Sequence, residues 1–411
     1  MAIIKPFRAV RTSRDKVALV SSKSHEVYTS KKLKAKLKFN PFTFLHVIHP
    51  GYKYNKEISG EERFKLVHNR YLEFKENRFF TKDEKPAFYV YKKVTKENVF
   101  CGIIAATSVD DYKKDVIKKH EGTIKSREIL FEHYLRNTGF NAEPVVVTYP
   151  DNDEINTIVE KYKEQRAEYE FTSSDKNLHL LWVIDNEKDI YKIAAAFKKI
   201  NTLYIADGHH RSSSSYLLAK HKAKENPNHT GEEDYNFFMS YLIPESNLKI
   251  SEFNRFVKDL NGLTANEFLI ALDEYYRIEN HGQVVYKPNK KHHFSMYLDG
   301  EFYSLYLRKT SYVLSDPLSK LDSEILYRTV LKPILGINDL KNSSKISYLY
   351  DKKDSLILKR KVDSGEFKIA FGMVPLSIEE IKEIADANLQ MPPKSTYIQP
   401  KMRSALTIYE F

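Results

Sequence analysis

Three short runs rich in β-branched and aromatic residues, 143–149 (EPVVVTY), 178–184 (LHLLWVI) and 202–206 (TLYIA), are each followed within a few residues by a segment of helical spacing. Apolar runs of this length, bounded by polar or turn-forming residues, read as strands. Helices that follow such strands bury one face against the sheet, so the alternation points to a layered α/β arrangement. The helices expected here cover 153–167, 190–199 and a segment that continues from 207–211 to about residue 223.

The flanking segments extend the pattern. Before it, strand-like runs at 17–21, 44–48, 87–92 and 101–108 surround a helix near 61–76, and the last two of these strands suit a hairpin. Between 110 and 139 the spacing favours helix, with Thr123 or Ser126 available to cap a segment that runs to Arg136. After a polar loop at 224–233 comes a strand at 236–243, and a second domain is expected to start near residue 251. That second part reads as helix 265–276, strands 284–287, 293–298 and 301–307, helix 323–331 and a terminal strand 405–409. The expected fold class is mixed α/β (α+β), with one part over 1–250 and a second α/β domain over 251–411 whose tail returns to the active site.

Composition narrows the function classes. A chain of 411 residues with 42% hydrophobic and 29% charged residues has the make-up of a soluble globular protein. Its longest apolar stretches, 178–184 and 369–376, fall far short of the ~18 residues of a membrane-spanning helix. The first eight residues (MAIIKPFR) lead into no apolar signal segment, so a cytoplasmic location is expected. One cysteine, Cys101, excludes an internal disulfide and any zinc site built on several thiolates. The net charge of +11 favours anionic partners in general, but the lysines are scattered along the chain, and no helix-turn-helix with clustered cations is found. A nucleic-acid partner and a membrane partner are therefore not expected, and a homodimer is left open.

One local element carries the strongest chemical signal. Ala206-Asp207-Gly208-His209-His210-Arg211, followed by Ser212 to Ser215, sits where a strand ends and a helix begins. Glycine lets backbone approach a ligand closely, and the first amides of a helix favour an anion. Arg211 adds a two-pronged phosphate donor, while the histidines donate hydrogen bonds or move protons. Asp207 reads equally as a helix cap, with the histidines merely packed. A second element, His120-Glu121-Gly122-Thr123, sets an imidazole beside a carboxylate, as a general base and its partner would be. Glu121 reads equally as an acidic residue favoured by a helix start. A third, Met391-Pro392-Pro393-Lys394-Ser395-Thr396 with Lys401 beyond it, offers cations and hydroxyls on a stiff turn. His25 and Glu26 lie together in an early loop, and His46 and His49 fall on opposite faces of the expected 44–48 strand, which disfavours a zinc site.

Taken together with Pro6-Phe7-Arg8-Ala9-Val10-Arg11 near the start, these landmarks resemble, in order and over nearly the whole length, those of the DUF1015 family. The 207–211 element is also similar to that of the ParB/sulfiredoxin-like fold, which includes kinases of free L-serine. The resemblance implies a ParB/sulfiredoxin-like nucleotide-binding part over 1–250. It implies an ATP- or ADP-dependent, Mg²⁺-assisted phosphotransfer to L-serine, yielding O-phospho-L-serine. Gly208, His209, His210 and Arg211 would hold the phosphates, and Lys394, Ser395, Thr396 and Lys401 would close the site. Asp207 would partner the metal or the hydroxyl, and Glu121 would be the base, with Glu26 second where the family commonly has an aspartate. Two alternatives use the same residues: a phosphohydrolase with water as acceptor, and a non-catalytic, nucleotide-responsive DNA-associated regulator.

Overall fold

The computed structural model describes residues 1–350 and 356–411. The chain divides into two compact units. The first comprises Met1–Lys119, Thr123–Leu248 and Pro400–Phe411, and the second His120–Gly122 and Lys249–Gln399. The chain therefore changes unit at the 248/249 step, and also at the short 120–122 stretch and at residue 400.

The first unit is built on a nine-stranded mixed sheet. Its strands are β1 (Ile4–Lys5), β2 (Phe88–Val94), β3 (Val99–Ser108), β4 (Ile117–Lys118), β5 (Val145–Tyr149), β6 (Tyr169–Thr172), β7 (Leu178–Ile184), β8 (Leu203–Asp207) and β9 (Phe237–Pro244). They lie in the order β6-β7-β2-β3-β9-β5-β8-β4, with β1 pairing against the end of β3. β2 and β3 form the expected antiparallel hairpin, Tyr89 opposite Ile104. Only β9 with β5 and β8 with β4 run parallel. The strand–helix alternation along the chain thus does not place β7 and β8 side by side, because β7 pairs with β2 and β8 with β5, each antiparallel.

Helices α1 (Gly60–Glu76), α2 (Lys125–Thr138), α3 (Asp153–Lys163), α4 (Glu187–Lys198) and α5 (His209–Glu225) accompany this sheet. Asn152 and Asn186 cap α3 and α4 by accepting from amides in the first turn, and each helix has acidic residues there that complement its dipole. Their apolar faces, with Ile155, Ile158, Ile193, Ala196 and Phe197, join Val145, Val147, Leu203 and Ile205 of the sheet in one core. Arg11 of the early motif anchors to Asp83 at 2.7 Å, and Tyr89 donates to Asp83 and to the Phe7 carbonyl. That motif is therefore a structural clasp.

The second unit has a six-stranded, wholly antiparallel sheet. Strands β10 (Asn254–Val257), β11 (Tyr276–Gly282), β12 (His293–Leu298), β13 (Glu301–Leu307), β14 (Ile346–Leu349) and β15 (Ile369–Gly372) lie in the order β11-β13-β12-β15-β10-β14. Helices α6 (Ala265–Asp273) and α7 (Ile378–Asp386) each begin with a reciprocal capping box, Thr264 with Glu267 and Ser377 with Glu380. Among the described residues no helix is long and apolar enough to cross a membrane.

Several expected elements come out differently. The runs at 17–21 and 44–48 are short helices, Val17–Val20 and Leu45–Ile48, whose Val20, Leu45, Val47 and Ile48 all enter one apolar cluster. Apolar runs this short do not separate helix from strand by period. His46 and His49 consequently sit on and after a helical turn, and His49 packs its ring against His25 at 5.9 Å. The 265–276 helix stops at Asp273 and its last residue opens β11, while 284–287 is not paired as a strand. The 323–331 helix is α-helical over Asp322–Leu326 and widens into a π-turn over Tyr327–Leu331. The 405–409 strand is replaced by two-residue strands, Arg403–Ser404 and Tyr409–Glu410.

His179 lies inside the first unit at 1% exposure, its ring nitrogens engaged by the Tyr91 hydroxyl at 2.7 Å and Ser173 Oγ at 2.9 Å. Burial, with Arg403 and Lys93 adding to it, pushes its pKa down to about 3. His49 and His209 are likewise held down to about 4, chiefly by burial. Such groups are neutral when folded but protonate near 6.5 when unfolded, so their stabilising share is full above that pH and lost as pH falls toward the folded value. Each contributes a slope of about 1.4 kcal/mol per pH unit in that window. Urea midpoints followed by fluorescence of Trp182, the only tryptophan, should fall from pH 7 to pH 5. In His179→Gln, whose overall stability is lower, the fall should be shallower, and an unchanged slope would refute the neutral buried state of His179.

Candidate functional site

β8 ends at Asp207, and the turn into α5 is made by Gly208 at φ +101°. Only glycine adopts that conformation without strain, and a Cβ added there would lie 3.2 Å from the Arg211 guanidinium. Arg211, one turn into α5, folds back on this turn. Its Nη2 donates to Asp207 Oδ2 at 3.0 Å, and its Nη1 donates to the carbonyls of Glu143 at 3.2 Å and Pro144 at 2.5 Å. The same Nη1 is 3.2 Å from Glu143 Oε1. Arg211 thereby ties the entry of β5 to the junction between β8 and α5.

The third partner comes from the end of the chain. Arg403–Ser404 pairs antiparallel with Ser22–Lys23, and the Arg403 guanidinium donates to Ser21 Oγ at 3.1 Å, which fixes the 400–411 segment in the first unit. Lys93 Nζ donates to the Lys401 carbonyl at 3.0 Å. Lys401 Nζ then reaches Asp207 Oδ1 at 2.5 Å. Ser404 Oγ donates to Glu143 at 3.1 Å and completes the ring.

Two cations and two carboxylates thus converge on the first turn of α5. Burial works against the charge of Asp207, but Lys401 and Arg211 outweigh it and hold the carboxyl below its usual range. His209, 6% exposed, stays neutral at pH 7 because burial, with His210, Lys401 and Lys119 adding to it, overrides the attraction of Asp207. It is thus a neutral imidazole in this setting and not a cation for a phosphate. The four serines are buried, and their hydroxyls donate back to helix carbonyls one turn earlier, as Ser215 does to Arg211 at 2.9 Å. Ser214 also donates to the Glu128 carbonyl of α2 at 3.0 Å, so the serine run is a small-residue seam between two helices.

The second unit gathers the other two motifs. The Met391 amide donates to the His120 carbonyl at 2.9 Å, and a Cβ on Gly122 would collide with the Gln390 side chain. Glu121 stands half-buried in this stretch. Lys394, at φ 57°, places its ammonium 5.6 Å from the Phe253 ring, and its carbonyl accepts from Arg255 at 3.2 Å. Ser395 is buried, donates to the Pro392 carbonyl at 2.7 Å and lies 3.0 Å from Ser323 Oγ, with Thr396 buried beside it. The side chain of Glu26 lies outside the described residues.

Two of the expected roles meet competing commitments in the structure. Arg211 is committed to Asp207, Glu143 and Pro144, so its role as found is to brace the turn rather than to present an open fork. Asp207 has one oxygen facing Lys401 and the other facing Arg211, a donor set that does not fit a protein-held Mg²⁺. Among the described residues no group of three or more His, Cys, Asp or Glu is arranged to hold a metal ion. The serine hydroxyls serve the helix. Glu143 was missed; a carboxylate directly before Pro144 and an apolar strand was the available signal.

A family model described as a protein of unknown function, DUF1015, matches residues 4–324. Among solved structures, SbnI with a C-terminal truncation from Staphylococcus aureus is similar at 14% identity and TM-score 0.40, over 74% of this chain and 87% of that one. A mutant of a free serine kinase in complex with AMP is similar at 13% identity and TM-score 0.37, over 74% of this chain and 92% of that one. A conserved hypothetical protein from Pyrococcus furiosus is similar at 13% identity and TM-score 0.36, over 76% and 97%. No curated protein matches. At these values the likeness assigns no activity to the chain.

The geometry of the turn makes a direct prediction. Gly208→Ala should lower stability by about 1–3 kcal/mol, because a side chain is forced into the left-handed region beside Arg211. Urea unfolding of the purified variant measures this, and an unchanged midpoint would show that the turn is not strained as described.

Proposed function

The chain belongs to the DUF1015 family, and on that premise we propose that it is a nucleotide-dependent kinase of free L-serine, or of a similarly small hydroxyl metabolite, that yields O-phospho-L-serine. The observation that carries this reading is the ammonium of Lys401 held by Asp207 at the glycine-initiated start of α5. The amides of His209, His210 and Arg211 belong to the first turn of α5, ahead of the Ser212 amide, which donates to the Gly208 carbonyl. With Lys401 beside them they form a donor set suited to the phosphates of ATP or ADP.

Phosphoryl transfer asks the protein mainly for position and charge compensation. In the proposed reaction the serine hydroxyl oxygen forms a bond to the terminal phosphorus, the bond from that phosphorus to the leaving nucleotide breaks, and the hydroxyl proton passes to a carboxylate. Asp207 is a positioning residue here, since both its oxygens orient cations. Neutral His209 suits hydrogen bonding to a phosphate oxygen or to the acceptor. Mg²⁺, when bound to the nucleotide, supplies further charge compensation, and the protein side chains described above need not hold it.

Phosphorus NMR with ATP or ADP, Mg²⁺ and free serine tests the reading. A phosphomonoester signal that requires serine should appear, and the rate should drop on the order of a hundredfold in Lys401→Met, as when one transition-state donor is removed. Inorganic phosphate released without an acceptor would replace the kinase by a hydrolase, and unaltered nucleotide would overturn both.

A further inference from the structure

The second unit contains a cleft that none of the motifs above enters. It has a volume of about 570 Å³, within the ~300–1,000 Å³ common for small-molecule sites, and it opens between the start of β12 and the irregular segment after β13. Lys291, His292, His293 and Lys309 are among its lining residues. Tyr312, Val313 and Leu314 line it too and give it an apolar share, and Val313 is 79% exposed.

No carboxylate lines this cleft among the described residues. Glu380 is the nearest acidic partner and pairs with Lys291 at 2.7 Å, while Lys309 is exposed and enters no ion pair among the described residues. Behind the wall, Asp322 is 1% exposed and accepts from the His292 amide at 2.8 Å. Burial lifts its carboxyl to about 7, so much of its negative charge is withheld at neutral pH. His292 and His293 are both shifted below the usual histidine range, first by burial and then by neighbouring cations, Lys291 for His292 and Lys290 for His293. Lys309 is thus the one cation of this lining that has no ion pair among the described residues; it stands beside neutral imidazoles and an exposed apolar surface, and an anion would compensate it.

We propose that this cleft is a second small-molecule site, which takes an anionic group, phosphoryl or carboxylate, carried on a compact apolar body. Lys309 binds the anion, and Tyr312–Leu314 cover the apolar part. The site rests on the second unit alone and does not depend on the kinase reading.

Calorimetric titration with phenyl phosphate tests it, with phenol and inorganic phosphate as the two half-ligands. Phenyl phosphate should bind saturably and more tightly than either half. Lys309→Glu, a change at an exposed position, should weaken binding at least tenfold, while Lys309→Arg and the first-unit variant Lys401→Met should leave it within about twofold, on the footing that a tenfold change corresponds to 1.4 kcal/mol. Absence of saturable binding at millimolar phenyl phosphate would overturn the proposal. So would binding that survives Lys309→Glu, or binding lost in Lys401→Met, which would move the ligand to the α5 turn.

Discussion

The carboxylate of Asp207 joins three stretches of the first unit that are far apart in sequence. Through Arg211 it holds the start of β5 against the end of β8, and through Lys401 it receives the C-terminal segment. Half-buried charges of this kind contribute little net stability as complete pairs, yet removing one member leaves the others without compensation. The chain order around them follows: glycine at 208 so that Arg211 can fold back, and a fixed 400–411 segment so that Lys401 arrives at one place.

The same network explains why charge alone does not define the site. Lys401 and Arg211 are matched by Asp207 and Glu143, and His209 is kept neutral by burial. An anion at the α5 start would therefore be attracted mainly by directed N–H groups and by one lysine whose position is preset, rather than by a large positive field. The long-range potential from the +11 net charge is a separate, unspecific contribution.

Much of the first unit was legible in the sequence, because several of its strands are continuous apolar runs and helices α3 and α4 carry clear asparagine caps. The 87–92 and 101–108 hairpin, the strand 178–184 and the strand–glycine–helix junction at 207–211 all follow from local pattern. What was not legible has physical causes. Four-residue apolar segments such as VALV and LHVI carry no period, so tertiary packing decides between helix and strand. Strand order was hidden because β7 and β8 find antiparallel partners from elsewhere in the chain. At the site, residue types announced chemistry, but their commitments did not show: the Arg211 guanidinium, the Asp207 oxygens and the four serine hydroxyls are all engaged by protein groups, and the engagement of Arg211 with Glu143 spans 68 residues.

The account turns on Lys401 being held at the start of α5 for an anionic phosphate. Equilibrium titration of ADP into the wild-type protein and into Lys401→Met, with circular dichroism and urea midpoints to confirm that both are folded, measures that directly. The account predicts saturable ADP binding by the wild type and at least tenfold weaker binding by the variant. Equal affinity in the two proteins, or no ADP binding by the wild type, would contradict it.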